Sequence, residues 1–412
     1  MIEISRKRID GVIDAIPSKS YAHRALICAA LADGRSELIF SRTSVDIETT
    51  KETLRALGAV ITDTDTGCTV DPIQDALPGA LLDCRESGST LRFMLPVAAG
   101  LTEPVHFTGT GRLPERPLSP LLEQMEEHGC RFSACSLPLT IHGRLRGGKF
   151  SLPGDISSQY VSGLLLAAPV LGETEVHLTS RLESEDYVHI TTDVMESFGV
   201  ATLQTDTGFR VPRGAAYRAN SRPIEGDWSN AAFFLVGAAL SGRVSLRGLK
   251  EDSVQGDRGI LGVLKAFGAK VVADGAVTVE KDRMQPFRLD LSRMPDSLPA
   301  LAVLAAGARG DSVFTGGRRL RFKESDRLHT TATMLHDLGG RATETEDGLI
   351  VHGTGSLSGG TTSSFGDHRL AMAAATASVL CEQPVRIENE EAVTKSYPAF
   401  FEDLERIGGG HV

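Results

Sequence analysis

Aromatic and cysteine residues are scarce in this chain, and several familiar signals are missing from it. Phe, Trp and Tyr make up 5% of the 412 residues, so we expect hydrophobic cores built from Ala, Leu and Val. The six cysteines show no C-x-x-C pair and no zinc-ligand spacing, which argues against a disulfide framework and against a zinc site. We therefore expect reduced thiols in a cytoplasmic protein.

Long apolar runs and a net positive charge are also absent. No segment approaches the roughly 18 unbroken apolar residues of a membrane helix, and the N-terminal stretch MIEISRKRIDG lacks the apolar run of a signal peptide. The formal charge is −10, from 43 basic and 53 acidic residues, which argues against nucleic acid as a partner. We expect neither a membrane nor a nucleic acid among the partners.

The common cofactor motifs are missing as well. The sequence has no G-x-x-x-x-G-K-[ST] phosphate loop, no H-E-x-x-H metal motif and no G-x-G-x-x-G following a strand. Gly109-Thr110-Gly111 precedes the proline-containing loop LPERPLSP, so it matches a dinucleotide loop poorly. We expect no cofactor and no metal.

The sequence does contain an internal repeat, with a period of about 70 residues. A short polar start followed by an Ala-rich apolar helix occurs six times, at PSKSYAHRALICAAL, ESGSTLRFMLPVAAG, DISSQYVSGLLLAAPV, EGDWSNAAFFLVGAAL, MPDSLPALAVLAAG and FGDHRLAMAAATASVL. An amphipathic helix ending in glycine recurs with the same period, at Gly58, Gly129, Gly199, Gly268, Gly339 and Gly408. Glycine just after a helix is the usual left-handed cap.

Each repeat therefore predicts a buried helix, a strand, an outer helix, a glycine and further strands. A chain of 412 residues is too long for one ordinary core, so we expect an α/β protein with two domains of three repeats each. Because the outer helices cover the repeats and leave no obvious apolar face, we expect a monomer.

The apolar helices begin with polar residues that could bind anions. Helix N-termini present free N–H groups and a positive dipole, which favour phosphate and carboxylate. A lone Ser or Asp there is more often a simple N-cap, but the accompanying Lys, Gln, His and Arg are not explained by capping. These starts are Lys19-Ser20, Ser87-Gly88-Ser89, Ser157-Ser158-Gln159, Asp227, Asp296 and Asp367-His368-Arg369.

Basic residues recur around the repeats of this acidic chain. Any one of them alone is better explained as a solvated surface charge, but Arg24 and Arg92 fall inside apolar helices. Arg binds carboxylate and phosphate through two hydrogen bonds and Lys supplies a point charge, so the set favours polyanionic substrates. The interleaved acids Asp296, Glu324, Asp326 and Asp367 indicate proton transfer. The basic residues are Lys19, Arg24, Arg92, Arg112, Arg116, Lys323, Arg327, Arg369 and Lys395.

These segments resemble the signatures of the 5-enolpyruvylshikimate-3-phosphate synthases. PSKSYAHRALICAAL, ESGSTLR, LPERPLSPL, DISSQYVSGLL, KESDRL, GDHRLAMA and VTKSYPAFF occur in that family's order and run from residue 17 to residue 401. The resemblance implies two similar inside-out α/β barrel domains, each of three repeated units, joined by a two-strand hinge. It implies an upper domain of residues 17–225 and a lower domain of residues 1–16 plus 226–412, closing on the substrates.

The resemblance also implies which residues contact the two substrates. Those for shikimate 3-phosphate are Lys19, Ser20, Arg24, Ser157, Ser158, Gln159, Ser184, Asp296 and Lys323. Those for phosphoenolpyruvate are Lys19, Gly88, Arg116, Gln159, Arg327, Arg369 and Lys395.

The implied reaction is an addition followed by an elimination, with Asp296 as base on the acceptor hydroxyl. Glu324 is expected to transfer the proton at the enol carbon, aided by Lys19 or His368. For His368 taken alone, an ordinary hydrogen-bonded histidine is an equally good interpretation. Glu86, Ser89 and Arg319 depart from the family's commonest pattern, which puts local contacts in question.

Two alternatives remain at this point. One is the related enolpyruvyl transferase acting on UDP-N-acetylglucosamine, which usually has a Cys before an A-R-P segment, where this chain has GTGRLPERP. The other is a non-catalytic anion-binding paralogue. A phosphate-release assay with shikimate 3-phosphate and phosphoenolpyruvate distinguishes all three.

Overall fold

The computed structural model describes residues 1–408, and the chain divides into two compact units. The middle unit is Pro17–Ile224, and the terminal unit combines Met1–Ile16 with the described residues from Glu225 onward. Glu225, which the sequence analysis placed at the end of the upper domain, lies in the terminal unit. The reason is local, because its carboxylate accepts hydrogen bonds from Ser253 and Gln255.

Two sets of α-helices alternate along residues 1–408. The apolar helices are α1 Lys19–Ala30, α3 Gly88–Leu101, α5 Ser158–Leu171, α7 Trp228–Ser241, α9 Leu298–Gly307 and α11 His368–Ala377. The outer helices are α2 Val45–Ala56, α4 Leu121–Glu127, α6 Glu185–Ser197, α8 Ile260–Phe267, α10 Arg327–Asp337 and α12 Phe400–Ile407. Short 3₁₀ helices lie at Leu113–Glu115, Gly256–Gly259, Pro295–Ser297, Arg318–Phe322, Ser378–Leu380 and Glu390–Lys395.

Strands fill the remainder of each repeat. Those of the terminal unit are β1 Ile2–Ile4, β2 Asp10–Asp14, β15 Arg243–Arg247, β16 Lys270–Asp274, β17 Ala276–Glu280, β18 Arg288–Asp290, β19 Arg309–Thr315, β20 Ala342–Glu344, β21 Leu349–Thr354, β22 Gly360–Ser363 and β23 Val385–Glu388. Those of the middle unit are β3 Ser36–Ile39, β4 Val60–Thr64, β5 Gly67–Asp71, β6 Ala80–Asp83, β7 Val105–Thr108, β8 Arg131–Phe132, β9 Leu139–His142, β10 Gly148–Leu152, β11 Thr174–Leu178, β12 Leu203–Thr205, β13 Gly208–Val211 and β14 Ser221–Pro223.

One sheet pattern recurs in both units. A parallel pair flanks four of the apolar helices, α3, α5, α9 and α11. In one of them β10 and β11 flank α5 with Gly148 opposite Thr174, and antiparallel strands complete the sheet. The sheet orders in the middle unit are β14-β3-β5-β4, β6-β7-β9-β8 and β10-β11-β13-β12. Those in the terminal unit are β16-β17-β15-β2, β18-β19-β21-β20 and β1-β23-β22. A parallel pair needs a crossover, which the apolar helix provides.

The chain passes between the units twice, and at each crossing a strand pairs outside its own repeat. In the order of the repeat, β2 is the strand that precedes α1 of the middle unit. It nevertheless pairs in parallel with β15 of the terminal unit, with Asp10 opposite Arg243. In the same way β14 precedes α7 but pairs with β3 of the middle unit, Ser221 opposite Glu37. Each unit is therefore completed by a strand distant in sequence.

Burial follows the two helix types. Every residue of α9 is buried, as expected for a helix that is apolar on all faces. In α12 one face is buried through Phe400, Leu404 and Ile407, whereas Glu405 and Arg406 are exposed. The apolar helices therefore form the cores and the outer helices lie over them, as the sequence predicted.

The glycine caps match the prediction in five repeats. Gly58, Gly129, Gly199, Gly268 and Gly339 have φ between +81° and +112°. The prediction is wrong for Gly408, whose φ is −86°. The N–H of Gly408 bonds to the carbonyls of Leu404 and Glu405, so the helical turn continues through it.

Among residues 1–408, no helix is both long and apolar enough to cross a membrane.

Candidate active site

Each unit holds a cluster of largely buried, mostly charged residues near the N-terminal ends of its apolar helices. The middle cluster consists of Lys19, Arg24, Asp46, Gly88, Arg92, Arg116 and Gln159. The terminal cluster consists of Asp227, Asp257, Asp296, Lys323, Glu324, Arg327, Asp367, His368, Arg369 and Lys395. Most of these side chains are at most 16% exposed, and such charges are rarely buried unless they are paired.

Lys19, in the first turn of α1, forms an ion pair in the middle cluster. Its Nζ lies 2.8 Å from Oδ2 of Asp46, and the side chains are 16% and 5% exposed. Asp46 lies in the first turn of α2, so the pair connects the starts of the inner and outer helix of one repeat. The pair holds the Lys19 ammonium in place while leaving part of it accessible.

Arg24 lies one turn further along α1 and is 2% exposed. It donates to Thr191 Oγ1 at 2.7 Å, to the Tyr187 carbonyl at 2.9 Å and to Ser162 Oγ at 3.3 Å. It also donates to the Ser20 carbonyl at 2.8 Å. Burial lowers its pKa to about 10, which leaves it charged at neutral pH. The guanidinium thereby ties α1 to α5 and α6 at the level of Ser20.

Gly88, Arg92, Arg116 and Gln159 come together where α3 and α5 begin. A Cβ on Gly88 would lie 2.5 Å from Nη1 of Arg116 and 2.7 Å from Nη1 of Arg92, so both guanidinium groups pack on this backbone. Arg92 donates to Gln159 Oε1 at 3.3 Å, and Gln159 donates to Ser89 Oγ at 2.9 Å. Three residues predicted for phosphoenolpyruvate are thus adjacent.

The predicted serines take positions at helix starts. Ser157 is the N-cap of α5 and its Oγ accepts from the Gln159 N–H at 3.3 Å, and Ser158 is the first helical residue. Ser184 is the N-cap of α6 with φ of 51° and is 4% exposed, and its side chain makes no cap bond. Such helix starts present N–H groups suited to a phosphate.

Asp296 is the centre of the terminal cluster. Its Oδ1 lies 2.7 Å from Nη1 of Arg327 and 3.3 Å from Nζ of Lys323. Its Oδ2 lies 3.2 Å from Nη2 of Arg369. Three predicted cations therefore converge on one carboxylate that is 15% exposed.

Arg327, at the start of α10, connects three carboxylates. Besides Asp296 it contacts Glu324 Oε2 at 2.8 Å and Asp367 Oδ2 at 2.7 Å, and it is 1% exposed. Asp367 also caps α11, accepting from the Arg369 N–H at 2.9 Å. An arginine with this many acceptors is a rigid support for the groups around it.

Two further predicted residues flank this network. His368 is 1% exposed, and its Nδ1 lies 3.6 Å from Asp367 Oδ1. Lys395 is 7% exposed and ends the 3₁₀ helix that precedes Ser396, whose Oγ bonds to Asn230 Oδ1 at 3.2 Å. Lys395 therefore lies in a segment bonded to the first turn of α7.

The pKa values follow from burial and mutual attraction. Burial disfavours ionised Asp296, but the Lys323 ammonium and two guanidinium groups outweigh it and hold its pKa well below the usual range. Burial lowers the pKa of Lys323, although Asp296 attracts its charge. Burial also opposes the charge of Arg327, but its three carboxylate neighbours raise its pKa. Asp296 is thus an ionised hydrogen-bond acceptor.

Sequence reasoning missed two acidic members of the clusters. Asp46 stands 70 residues before Arg116, and Asp257 stands 70 residues before Arg327. The repeat period could have identified them, since these segments lie at or shortly before the starts of outer helices. Their partners, however, lie in other elements and follow only from the fold. Within residues 1–408, no three His, Cys, Asp or Glu side chains are grouped to hold a metal ion.

Comparison with known proteins gives a family match over nearly the whole chain. The family model described as EPSP synthase (3-phosphoshikimate 1-carboxyvinyltransferase) matches residues 4–404. A 3-phosphoshikimate 1-carboxyvinyltransferase of Methanocorpusculum labreanum is 38% identical over 413 residues, covering 98% of each chain. One of Clostridium kluyveri is 39% identical over 414 residues, covering 99% of this chain and 97% of the relative.

Solved structures give the same result for the fold. An EPSP synthase from Acinetobacter baumannii aligns with a TM-score of 0.80 at 26% identity, covering 99% of this chain and 97% of the other. The enolpyruvyl transferase NikO from Streptomyces tendae aligns with a TM-score of 0.78 at 18% identity, covering 98% and 97%. This second likeness concerns the fold alone. The expected two-domain α/β fold class is confirmed.

Proposed function

The chain belongs to the EPSP synthase (3-phosphoshikimate 1-carboxyvinyltransferase) family, and on this premise we propose that it makes 5-enolpyruvylshikimate 3-phosphate. It transfers the enolpyruvyl group of phosphoenolpyruvate to the 5-hydroxyl of shikimate 3-phosphate and releases phosphate, a step of the shikimate pathway. The family match over residues 4–404 is the observation that carries this proposal.

The reaction consists of two steps, an addition and an elimination. In the addition, the 5-hydroxyl oxygen bonds to C2 of phosphoenolpyruvate, the hydroxyl loses its proton and C3 gains one. In the elimination, the C2–O bond to phosphate breaks and C3 loses a proton, restoring the double bond. Both steps need groups that accept and donate protons beside anionic ligands.

We assign Asp296 as the base that removes the proton of the acceptor hydroxyl. We assign Glu324 as the group that transfers the proton at C3. Asp296 is ionised because of its three cationic neighbours, so it is ready to accept a hydrogen bond from the hydroxyl. Bound anionic substrates would offset those cations and raise its proton affinity when a base is needed. Glu324 is held by Arg327 at 2.8 Å, and Lys19 and His368 are assigned supporting roles.

The binding roles are assigned by family membership and by helix-terminus chemistry. Ser157 and Ser158 at the start of α5 suit the phosphate of shikimate 3-phosphate. The other residues assigned to this substrate are Lys19, Ser20, Arg24, Gln159, Ser184, Asp296 and Lys323. Those assigned to phosphoenolpyruvate are Lys19, Gly88, Arg116, Gln159, Arg327, Arg369 and Lys395. The middle unit thus takes the upper-domain role and the terminal unit the lower-domain role.

We also propose that the protein acts in the cytoplasm as a monomer and uses no cofactor. All six cysteines are free thiols and five are buried, which suits a reducing compartment. Burial raises the pKa of the Cys28 thiol to about 12, so this thiol is unreactive. Light scattering of the purified protein tests the monomer, and a dimer mass would contradict it.

A phosphate-release assay tests the activity. The purified protein should release phosphate only when phosphoenolpyruvate and shikimate 3-phosphate are both present, and the product mass should equal the acceptor plus the enolpyruvyl group. UDP-N-acetylglucosamine is the control acceptor. Release with that acceptor alone would favour the related transferase, and no release with either would contradict an enzymatic role.

A further inference from the structure

In the terminal unit, one residue that starts an outer helix connects the starts of two apolar helices. Arg327 shows this pattern at the start of α10. It bonds to Asp296, which precedes α9, and to Asp367, which caps α11, at 2.7 Å each. The position is therefore suited to fixing the geometry of two helix starts at once.

Asp257 stands 70 residues before Arg327, in the corresponding segment of the preceding repeat. It lies in the short helix Gly256–Gly259 that leads into α8. Its Oδ1 accepts a hydrogen bond from Ser297 Oγ at 2.7 Å, and Ser297 directly follows Asp296. Asp257 therefore holds the residue adjacent to the central carboxylate of the cluster.

The same loop also contacts the start of α7. Gln255 Oε1 accepts from the Trp228 N–H at 3.2 Å, and its Nε2 donates to the Gly226 carbonyl at 2.9 Å. Gln255 and Asp257 together thus connect the beginning of α7 with the turn before α9, as Arg327 connects α9 with α11.

Asp257 is also surrounded by charge. It is 5% exposed, and the charged groups that act on it are Asp296, Arg369 and Asp227. Burial first, and then repulsion by Asp296, raise its pKa to about 6, against the effects of Arg369 and Ser297. A buried carboxyl needs hydrogen-bond donors, and the Ser297 hydroxyl provides one at 2.7 Å.

We propose that Asp257 is a positioning residue of the enolpyruvyl transfer. By accepting the hydrogen bond from the Ser297 hydroxyl, Asp257 fixes the turn that carries Asp296 and so orients the Asp296 carboxylate. This inference rests on the proposed function, because it concerns the base of that reaction. Asp257 acts through Ser297 and is assigned no contact with substrate.

The hydrogen bond can be removed from either side. Ser297→Ala removes the donor with little change in volume, and Asp257→Ala removes the acceptor. Each should lower kcat by about 10- to 100-fold, since a misplacement of about 1 Å can cost about 10²-fold. The KM values for both substrates should stay within about threefold, because the reacting geometry and not ground-state binding is disturbed.

Two further variants separate positioning from general structural damage. The double variant should lose no more than the worse single one, because both changes break the same bond. Asp257→Asn keeps an acceptor for Ser297 and should recover kcat to within about threefold of wild type near neutral pH. Ser378→Ala is the matched control, since this buried hydroxyl donates to the Ala375 carbonyl at 2.6 Å at the far end of α11.

Several results would overturn the proposal. It is overturned if Ser297→Ala keeps kcat within about twofold of wild type, if KM rises instead of kcat falling, or if the two single losses multiply. It is also overturned if Ser378→Ala loses as much as Ser297→Ala. Should Asp257→Ala fail to fold, Ser297→Ala and Asp257→Asn decide alone. A wild-type protein without turnover would refute the proposed function, and this inference with it.

Discussion

Replacing His23 with asparagine should make the middle unit less sensitive to acid. His23 lies in α1 and is 0% exposed, with Nδ1 2.6 Å from Thr50 Oγ1. Within residues 1–408, its Nε2 has no hydrogen-bond partner. Burial, aided by the charges of Lys19 and Arg24 and opposed by Asp46, lowers its pKa from 6.5 to about 3.

The sign and size of the effect follow from proton linkage. The unfolded chain binds a proton at His23 below about pH 6.5, whereas the folded chain does so only near pH 3. The contribution of neutral His23 to the free energy of unfolding is therefore fully present above pH 6.5. It is lost progressively as the pH falls towards 3. At about pH 4.5 the loss amounts to about 2 to 3 kcal/mol, a large part of the roughly 5–15 kcal/mol that typically holds a domain folded.

The comparison must be made between two pH values, because His23→Asn also leaves a small gap that lowers stability equally at both. Unfolding of wild type and variant in urea is measured at about pH 7.5 and about pH 4.5. The only tryptophan, Trp228, lies in the terminal unit, so the middle unit is followed by amide hydrogen exchange of α1. His142→Asn, at an exposed histidine of β9 in the same unit, is the control.

The expected result is that acidification costs the variant about 2 to 3 kcal/mol less than wild type, with the control behaving as wild type. Equal losses in wild type and His23→Asn would refute the reasoning, because they would show that His23 gains its proton as easily in the folded as in the unfolded protein.

Three further predictions concern the proposed reaction. Asp296→Asn and Glu324→Gln should each lower kcat by about 10² to 10⁴-fold with substrate binding nearly intact, as expected for general acid–base groups, measured by phosphate release and calorimetry. Lys19→Met should raise KM and lower kcat, each by about tenfold or more, since the ammonium is assigned to both substrates. Gly88→Ala should raise KM for phosphoenolpyruvate by about tenfold, equal to about 1.4 kcal/mol, because its Cβ would displace the Arg116 guanidinium.

Each of these predictions has a control or a contrary outcome. Glu346→Gln changes an 84% exposed carboxylate of the terminal unit and should leave kcat and KM unchanged. Near-normal turnover in Asp296→Asn or Glu324→Gln would remove that residue from its assigned role. A Lys19→Met variant altered in KM alone would limit Lys19 to binding, and an unchanged KM in Gly88→Ala would show that the Arg116 side chain moves without consequence.

Features that depend on local pattern could be predicted from the amino-acid sequence alone. The sixfold repeat fixed the alternation of apolar and amphipathic helices, because each helix type follows from the spacing of its own apolar residues. Five glycine caps could also be predicted from a local signal, the glycine that comes just after each amphipathic helix. The positions of Lys19, Asp296, Arg327 and Arg369 near helix starts were likewise readable, since capping and charge are local signals.

Which of these residues contact each other depends instead on the tertiary fold. Asp296, Arg327 and Asp367 are 31 and 40 residues apart, and their contacts depend on how the apolar helices pack. The pairing of β2 with β15 places Asp10 opposite Arg243, across the whole middle unit of the sequence, which no local pattern encodes. Asp257 was overlooked because its hydrogen bond to Ser297 joins residues 40 positions apart in the sequence. Packing decides such contacts, because a side chain's partners depend on elements brought together from distant parts of the chain.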